Sequence, residues 1–301
     1  MTAKKLIVIV PAYNESARIV ETVTALKSTL ANIQNIQSLV YVVNDGSHDD
    51  TADRAKSAGA DKILTHHVNQ GLGAAVRTGI IAARRDNADM IVKFDADLQH
   101  DPADIAALIQ PVLNHESDVV YGNRFSRIEY KMPLVRSVGN KVFLYLMKKL
   151  TGWPLKDSQP GIFCIGRRYA DIFNLPGDYN YTQQILLDAY LKNMRFAHVD
   201  VAFRKRVTGK SFISFKYPFR VLPQIIMVLA SVRPMRIFFP VGLFFLMLAG
   251  GVFFYEIATW MIMGGIEKPV RSVNLVMGSG LFGLQTIFFG ILAELIVQTR
   301  R

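Results

Sequence analysis

Two apolar runs near the C-terminus constrain this chain more than any other feature. Ile237 to Met263 is 27 residues with one charge, Glu256, and Val273 to Val297 is 25 residues with one charge, Glu294. As α-helices rising about 1.5 Å per residue, each reaches roughly 40 Å, beyond the ~30 Å hydrocarbon core of a bilayer. Soluble helices of that length carry a polar stripe, and these have none. Both are therefore expected to span a membrane. The short link from Gly264 to Ser272 makes the pair a hairpin, with its outer ends on one side.

Basic residues indicate which side. From Arg195 to Arg236 nine Lys/Arg stand against one acid, Asp200; Arg300 and Arg301 follow the second run, while the link carries Lys268 and Arg271 beside Glu267. Such an excess marks the cytoplasmic side. The N-terminal part and the C-terminus are thus expected in the cytoplasm, with a bacterial inner membrane as the expected location. The same cluster carries most of the net charge of +11. It abuts the first run and holds no recognition-helix or RNA-binding aromatic signature, so anionic lipid and anionic ligand are the expected partners, and nucleic acid is not. The apolar run from Leu6 to Pro11 has no signal-peptide pattern before it, so the globular part is expected to stay unexported. A lone Cys164 excludes an internal disulfide and a Cys-based zinc site.

Along residues 1 to 125, β-branched runs alternate with helical patterns. Strands are expected at Leu6–Val10, Leu39–Val43, Lys62–Thr65 and Met90–Phe94, with helices at about Ser16–Leu30, Asp50–Ala58 and Leu72–Arg85 between them. Asp101-Pro102-Ala103-Asp104 reads as a helix start running to about Leu113. Further strands are expected at Val119–Tyr121, Ile162–Ile165 and Ala197–Phe203, and helices at Leu134–Leu150 and Thr182–Lys192. The fold class is α/β: a Rossmann-like, mostly parallel sheet covered by helices on both faces, followed by a two-helix transmembrane hairpin. Residues 1–215 form the sheet domain, 216–235 an interfacial helix, and 236–301 the hairpin, with spans at 237–263 and 273–297.

In such sheets ligands sit beyond the carboxyl ends of the strands. Three polar clusters fall there: Pro11-Ala12-Tyr13-Asn14-Glu15, Asn44-Asp45-Gly46-Ser47 and Asp95-Ala96-Asp97-Leu98-Gln99-His100. Asp95, Asp97 and Gln99 offer two carboxylates and an amide oxygen at alternate positions, the donor type that Mg2+ or Mn2+ takes while keeping positions for phosphate oxygens. A plain strand-end turn with solvated acids is the alternative, and the neighbouring Asp45 and Glu15 weigh against it.

Together with Asn69-Gln-Gly-Leu-Gly-Ala74, Gly122-Asn-Arg124 and Arg206-Val-Thr-Gly-Lys-Ser211, these motifs stand in a shared order. By that order residues 4 to 215 resemble the inverting glycosyltransferases of family two with the GT-A fold, in particular the polyprenyl-phosphate branch typified by dolichol-phosphate mannose synthase. The resemblance implies a nucleoside pocket lined by Pro11, Tyr13 and Glu15, with Asp45 on the base or ribose. It implies Asp95, Asp97 and Gln99 as ligands of Mg2+ or Mn2+ on the donor diphosphate, with Asp95 shared with the nucleotide site. Arg124, Arg136 and Arg206, with Lys210 and Ser211, would bind the acceptor phosphate; Asp97 and the three arginines form the expected catalytic set. The sequence departs from the pattern at Asn44, where an Asp is usual, and at Phe212, where a Lys often stands.

The implied reaction moves a hexose-type sugar from a UDP- or GDP-sugar to undecaprenyl or dolichyl phosphate at the cytoplasmic face. A sugar hydroxyl needs a general base, whereas a phosphate monoester is already ionised near neutral pH. Such an acceptor needs relief from repulsion, which arginines provide.

Other readings are weaker. Gln70-Gly71-Leu72-Gly73-Ala74 has Val76 where a dinucleotide fingerprint needs its third Gly, and it follows the third strand. A processive polysaccharide synthase would carry a Gln-x-x-Arg-Trp motif, and neither Trp153 nor Trp260 lies in one. A membrane glycosyltransferase with another acceptor and a non-catalytic scaffold are the remaining alternatives. His66, His67 and His100 lack metal-ligand spacing and are expected to be loop or hydrogen-bonding residues, and Cys164 a core residue. Glu256 and Glu294 are costly within spans, so a homo-oligomer, dimer or tetramer, is expected to hide them.

Overall fold

A computed structural model describes residues 3–128, 144–145, 147–149, 151–157, 159–175, 181–203, 234–265 and 268–299. The chain divides into two compact units, Met1–Phe212 and Ile213–Arg301.

The first unit is built on strands β1 (Lys4–Ala12), β2 (Ile36–Asn44), β3 (Lys62–Thr65), β4 (Met90–Lys93), β5 (Val119–Ile128), β6 (Phe163–Gly166) and β7 (Phe196–Phe203). They form one sheet in the order β3-β2-β1-β4-β6-β5-β7. β1 pairs in parallel with β2 and β4, β2 with β3, and β5 with β7; β6 runs antiparallel to both β4 and β5. Helices α1 (Ile19–Ala31), α2 (Thr51–Ser57), α3 (Leu72–Arg85) and α4 (Asp104–Leu113) alternate with the first five strands, and α5 (Arg167–Ile172) and α6 (Tyr181–Leu191) lie between β6 and β7.

Period explains the layers. Leu6, Val8 and Val10 of β1 share one face of the sheet with Val40, Val42, Met90 and Val92, and on them packs the α1 stripe of Ile19, Val23, Leu26 and Leu30. That helical spacing puts every apolar residue of α1 on one side. The β1 residues between, Ile7 and Ile9, are equally buried on the opposite face. A strand covered twice has no polar alternation, which is why β1 reads as continuously apolar.

Most elements lie where the sequence puts them, and the departures have local causes. α1 starts at Ile19 rather than Ser16, because Asn14 is left-handed (φ 52°) and the Glu15 carbonyl closes a turn by accepting the N–H groups of Arg18 and Ile19. α4 starts at Asp104: the Asp101 carboxylate accepts the Ala103 N–H at 3.0 Å, which caps a turn ahead of the helix. β5 runs on to Ile128, with an irregularity between Asn123 and Arg127. Of the helix expected over 134 to 150, residues 144–145 and 147–149 are described and are helical. The interfacial helix expected over 216–235 lies outside the described residues but for its last two.

The second unit contains α7 (Met235–Ile262) and α8 (Val273–Gln298), both long and apolar enough to cross a membrane and within two residues of the expected spans. They pack through small residues. A Cβ on Gly242 would stand 2.7 Å from the Gly283 carbonyl oxygen, and one on Gly283 2.8 Å from that of Gly242. Backbones this close gain dispersion contacts that do not depend on exclusion of water. The two glutamates reach across the pair. Glu256 of α7 accepts the N–H of Arg271 at 2.8 Å and that of Ser272 at 3.1 Å, at the start of α8; Glu294 of α8 accepts the Met235 N–H at 3.4 Å, at the start of α7. Each carboxylate thereby meets orphan donors of the other helix. Both carboxylates thus have partners within the chain.

Candidate active site

The carboxyl ends of β1, β2 and β4 share one edge of the sheet, where Ala12 pairs with Asn44. Because β6 is antiparallel, its beginning arrives at that edge, with Phe163 paired to Lys93 on one side and to Tyr121 on the other. The loops after β1, β2 and β4, the Gly161 approach to β6 and the Gly122-Asn123-Arg124 part of β5 are therefore brought together.

Near the end of β1 Pro11 is buried, and on the loop that follows Tyr13 is exposed (42%), which leaves its ring open to a planar ligand. The Asn14 N–H donates to Ser47 Oγ at 3.0 Å and its Oδ1 accepts the His48 N–H at 3.0 Å, while the Glu15 N–H donates to Thr51 Oγ1 at 2.9 Å. These bonds tie the β1 loop to the β2 loop and fix the half-buried Glu15 at the edge.

Asp45 is held from within the chain. Its carboxylate is 97% buried, with Oδ1 accepting His66 Nδ1–H at 2.7 Å and the Gln70 N–H at 2.9 Å, and Oδ2 accepting the Gly71 N–H at 2.8 Å. His66 Nε2 in turn hydrogen-bonds with Thr78 Oγ1 at 2.9 Å. Through these bonds the carboxylate organises the 69–71 loop ahead of α3, at the edge where the resemblance puts the nucleoside. Asn44 acts likewise, its Oδ1 accepting the Ser47 N–H at 3.1 Å.

The β4 turn holds the expected cation ligands on a braced backbone. Asp95, Asp97 and Gln99 are all partly exposed. Asp97 Oδ1 accepts the Gln99 N–H at 3.1 Å. Two α1-side groups grip the turn's carbonyls: buried Thr22 donates to the Ala96 oxygen at 2.8 Å, and Arg18 Nη1 donates to the Asp97 oxygen at 3.0 Å. Asp95 is ion-paired to Lys93, which also donates to the Gly161 carbonyl at 2.7 Å. Burial pushes the Lys93 pKa down, and the Asp95 carboxylate more than reverses this, so that Lys93 stays charged. His100 lies under the turn between Phe94 and Phe203; burial pushes its imidazole down to about 4, which keeps it neutral.

Gly161 closes over this group. A Cβ there would stand 2.7 Å from Asp95 Oδ2 and nearer still to His100 Nε2. Two carboxylates and an amide oxygen fit Mg2+ or Mn2+ in kind, but among the described residues no group of three Asp, Glu, His or Cys is placed to hold a metal. The remaining ligand positions suit phosphate oxygens and water.

Arg124 is 5% exposed and ion-paired at 2.8 Å, Nε to Oδ2, with fully buried Asp157. Its guanidinium carbon lies 5.3 Å from the Phe125 ring centre and 5.6 Å from that of Phe203. Arg136, Arg206, Lys210 and Ser211 lie outside the described residues. The sequence reading passed over Arg18, Thr22, Lys93, Asp157 and Gly161. Of these, Lys93 had a signal, a lone charge in an apolar strand.

Comparison with known proteins identifies the frame. Over 181 residues the chain is 35% identical to a UDP-N-acetylglucosamine–dolichyl-phosphate N-acetylglucosaminyltransferase of Methanococcus voltae, covering 54% of this chain and 69% of that one. Over 232 residues it is 28% identical to a dolichol-phosphate mannosyltransferase of Pyrococcus furiosus, covering 73% of this chain and 62% of that one. The chain thus spans about three-fifths of the length of some relatives that it matches. Glucosyl-3-phosphoglycerate synthase of Mycobacterium tuberculosis, solved with Mn2+, UDP-glucose and phosphoglyceric acid, superposes with a TM-score of 0.59 at 19% identity, over 76% of this chain and 79% of that one. That likeness shows the GT-A sheet. Residues 7–173, more than half of the sequence, match the family described as Glycosyl transferase family 2, and the chain belongs to that family.

Proposed function

We propose that this protein transfers a hexose-type sugar from a UDP- or GDP-sugar to a polyprenyl phosphate, undecaprenyl or dolichyl, with inversion and with the help of Mg2+ or Mn2+. One observation carries the reading: a carboxylate turn braced at the carboxyl edge of a GT-A sheet, in a chain that also holds a hairpin suited to a bilayer. The relatives whose names include dolichyl phosphate support the acceptor class. The nucleotide-sugar and Mn2+ in the neighbouring structure support the donor class and the cation.

In this reading Asp95, Asp97 and Gln99 hold the cation, which when bound neutralises charge on the donor diphosphate and the departing nucleotide. Thr22 and Arg18 hold the turn so that its oxygens need not reorganise during transfer. Tyr13 and Glu15 meet the nucleoside, next to the loop that Asp45 shapes. The acceptor phosphate is already anionic and attacks the anomeric carbon without a base. In this reading Arg124, Arg136, Arg206, Lys210 and Ser211 receive it, and Asp157 fixes the plane of Arg124. The basic stretch before the hairpin supports a reaction at the cytoplasmic face.

The test is a panel of UDP- and GDP-sugars offered with a short polyprenyl phosphate and Mg2+ or Mn2+, with mass analysis of the lipid product. A glycosylated polyprenyl phosphate that forms with one donor and vanishes with EDTA is the expected result. Undiminished transfer after chelation and after loss of both Asp95 and Asp97 would overturn the cation's role, and transfer only to a sugar hydroxyl would overturn the acceptor.

A further inference from the structure

Strand β4 ends on a residue foreign to an apolar strand. Met90, Ile91 and Val92 are buried between β1 and β6, and Lys93 follows them into the interior with 1% exposure. An ammonium in such surroundings is costly unless an opposite charge and acceptors meet it. Here Asp95 Oδ1 and the Gly161 carbonyl both accept from Nζ, which lies 5.9 Å from the centre of the Tyr181 ring.

The choice of partner has a consequence for ligand binding. Asp95 is the first carboxylate of the turn, and one of its oxygens is already occupied by a cation that cannot leave. The turn therefore offers an arriving divalent ion less than two full carboxylate charges, and among the described residues no third acid, His or Cys completes a metal-holding group. A bare cation brought to Asp95 Oδ2 also meets the field of Lys93 through an interior that screens poorly. A diphosphate alters that balance, because it brings both negative charge and the oxygen ligands that hard cations prefer.

We propose that Lys93 is a positioning residue, the standing counter-ion of Asp95, which makes this turn a site for a metal–diphosphate complex and a poor site for the bare metal. Cation and donor nucleotide then bind as a coupled pair, each raising the affinity of the other by the same factor. This rests on the cation-assisted reading given under Proposed function.

The experiment measures free Mn2+ by electron paramagnetic resonance on the full-length protein in detergent, without acceptor, alone and with UDP or GDP, against nucleotide-only blanks. The wild type is expected to bind bare Mn2+ weakly and to bind it at least tenfold more tightly with one of the nucleotides. Lys93→Met removes the charge at similar volume and is expected to bind bare Mn2+ on the order of tenfold more tightly than wild type, the nucleotide effect shrinking by the same factor. Lys93→Gln keeps a donor without the charge and is expected to shift the same way, so the result stays readable if the Met variant does not fold, as judged by circular dichroism. Folded variants with unchanged or weaker bare Mn2+ affinity, beside a wild type that couples metal and nucleotide, overturn the role of Lys93 alone. A wild type in which neither nucleotide changes Mn2+ affinity overturns both this inference and the cation-assisted reading.

Discussion

Asp157 holds Arg124 by an Nε–Oδ2 contact of 2.8 Å, with the carboxylate fully buried and the arginine side chain 6% exposed. A pair so placed is weak evidence of net stabilisation, but removing one member leaves a charge stranded in the interior. Asp157→Ala should therefore cost about 3–5 kcal/mol, as a lower melting temperature in detergent, whereas a paired Arg124→Met, Asp157→Leu variant should recover most of that loss. A melting temperature unchanged by Asp157→Ala would show that the guanidinium reaches solvent.

The turn at Asp95 should be sensitive to residues that touch no ligand. Thr22→Val deletes the donor to the Ala96 carbonyl while preserving shape, and is expected to lower Mn2+ affinity in the presence of nucleotide by on the order of tenfold. Titration with and without nucleotide measures it.

Gly161→Ala places a methyl group against Asp95 Oδ2 and His100 Nε2. Overpacking of this kind typically costs about 1–3 kcal/mol. Because the strain falls on Asp95, transfer activity should drop by more than the melting temperature alone accounts for, with Gly161→Ser no better. Equal activity in the Ala variant would mean that the β6 approach shifts freely.

Acid should weaken the first unit through His198. Its Nε2 accepts the Lys156 N–H at 2.9 Å, so the neutral ring carries its proton on Nδ1, which lies 3.3 Å from the Tyr121 carbonyl oxygen. Burial pushes its pKa down to about 4, below the usual 6.5. Between those values the unfolded chain binds a proton that the folded chain refuses, so stability falls as pH drops from about 6.5 towards 4 and is unaffected above that window. His100, also lowered to about 4, acts in the same direction. Melting curves from pH 7.5 to 4.5 should show this slope, and His198→Gln should flatten it in part.

The layered core was legible because its cause is local: continuous apolar runs for doubly covered strands and a 3.6-residue stripe in α1. The direction of β6 was not legible, since Phe163 to Gly166 is apolar whichever way it runs, and only pairing with β4 and β5 decides. The site divides on the same line. Asp95, Asp97 and Gln99 announce themselves by spacing within one turn, whereas the Arg124–Asp157 pair joins residues 33 positions apart, and Thr22 meets Ala96 across 74. The part Asp45 plays in shaping the 69–71 loop was not legible for the same reason, since its backbone donors at Gln70 and Gly71 lie 25 and 26 positions away.

The crossed glutamates of the hairpin each meet the backbone at the start of the neighbouring helix. Each carboxylate thereby ties one end of α7 to one end of α8, and losing either should let that end of the pair fray.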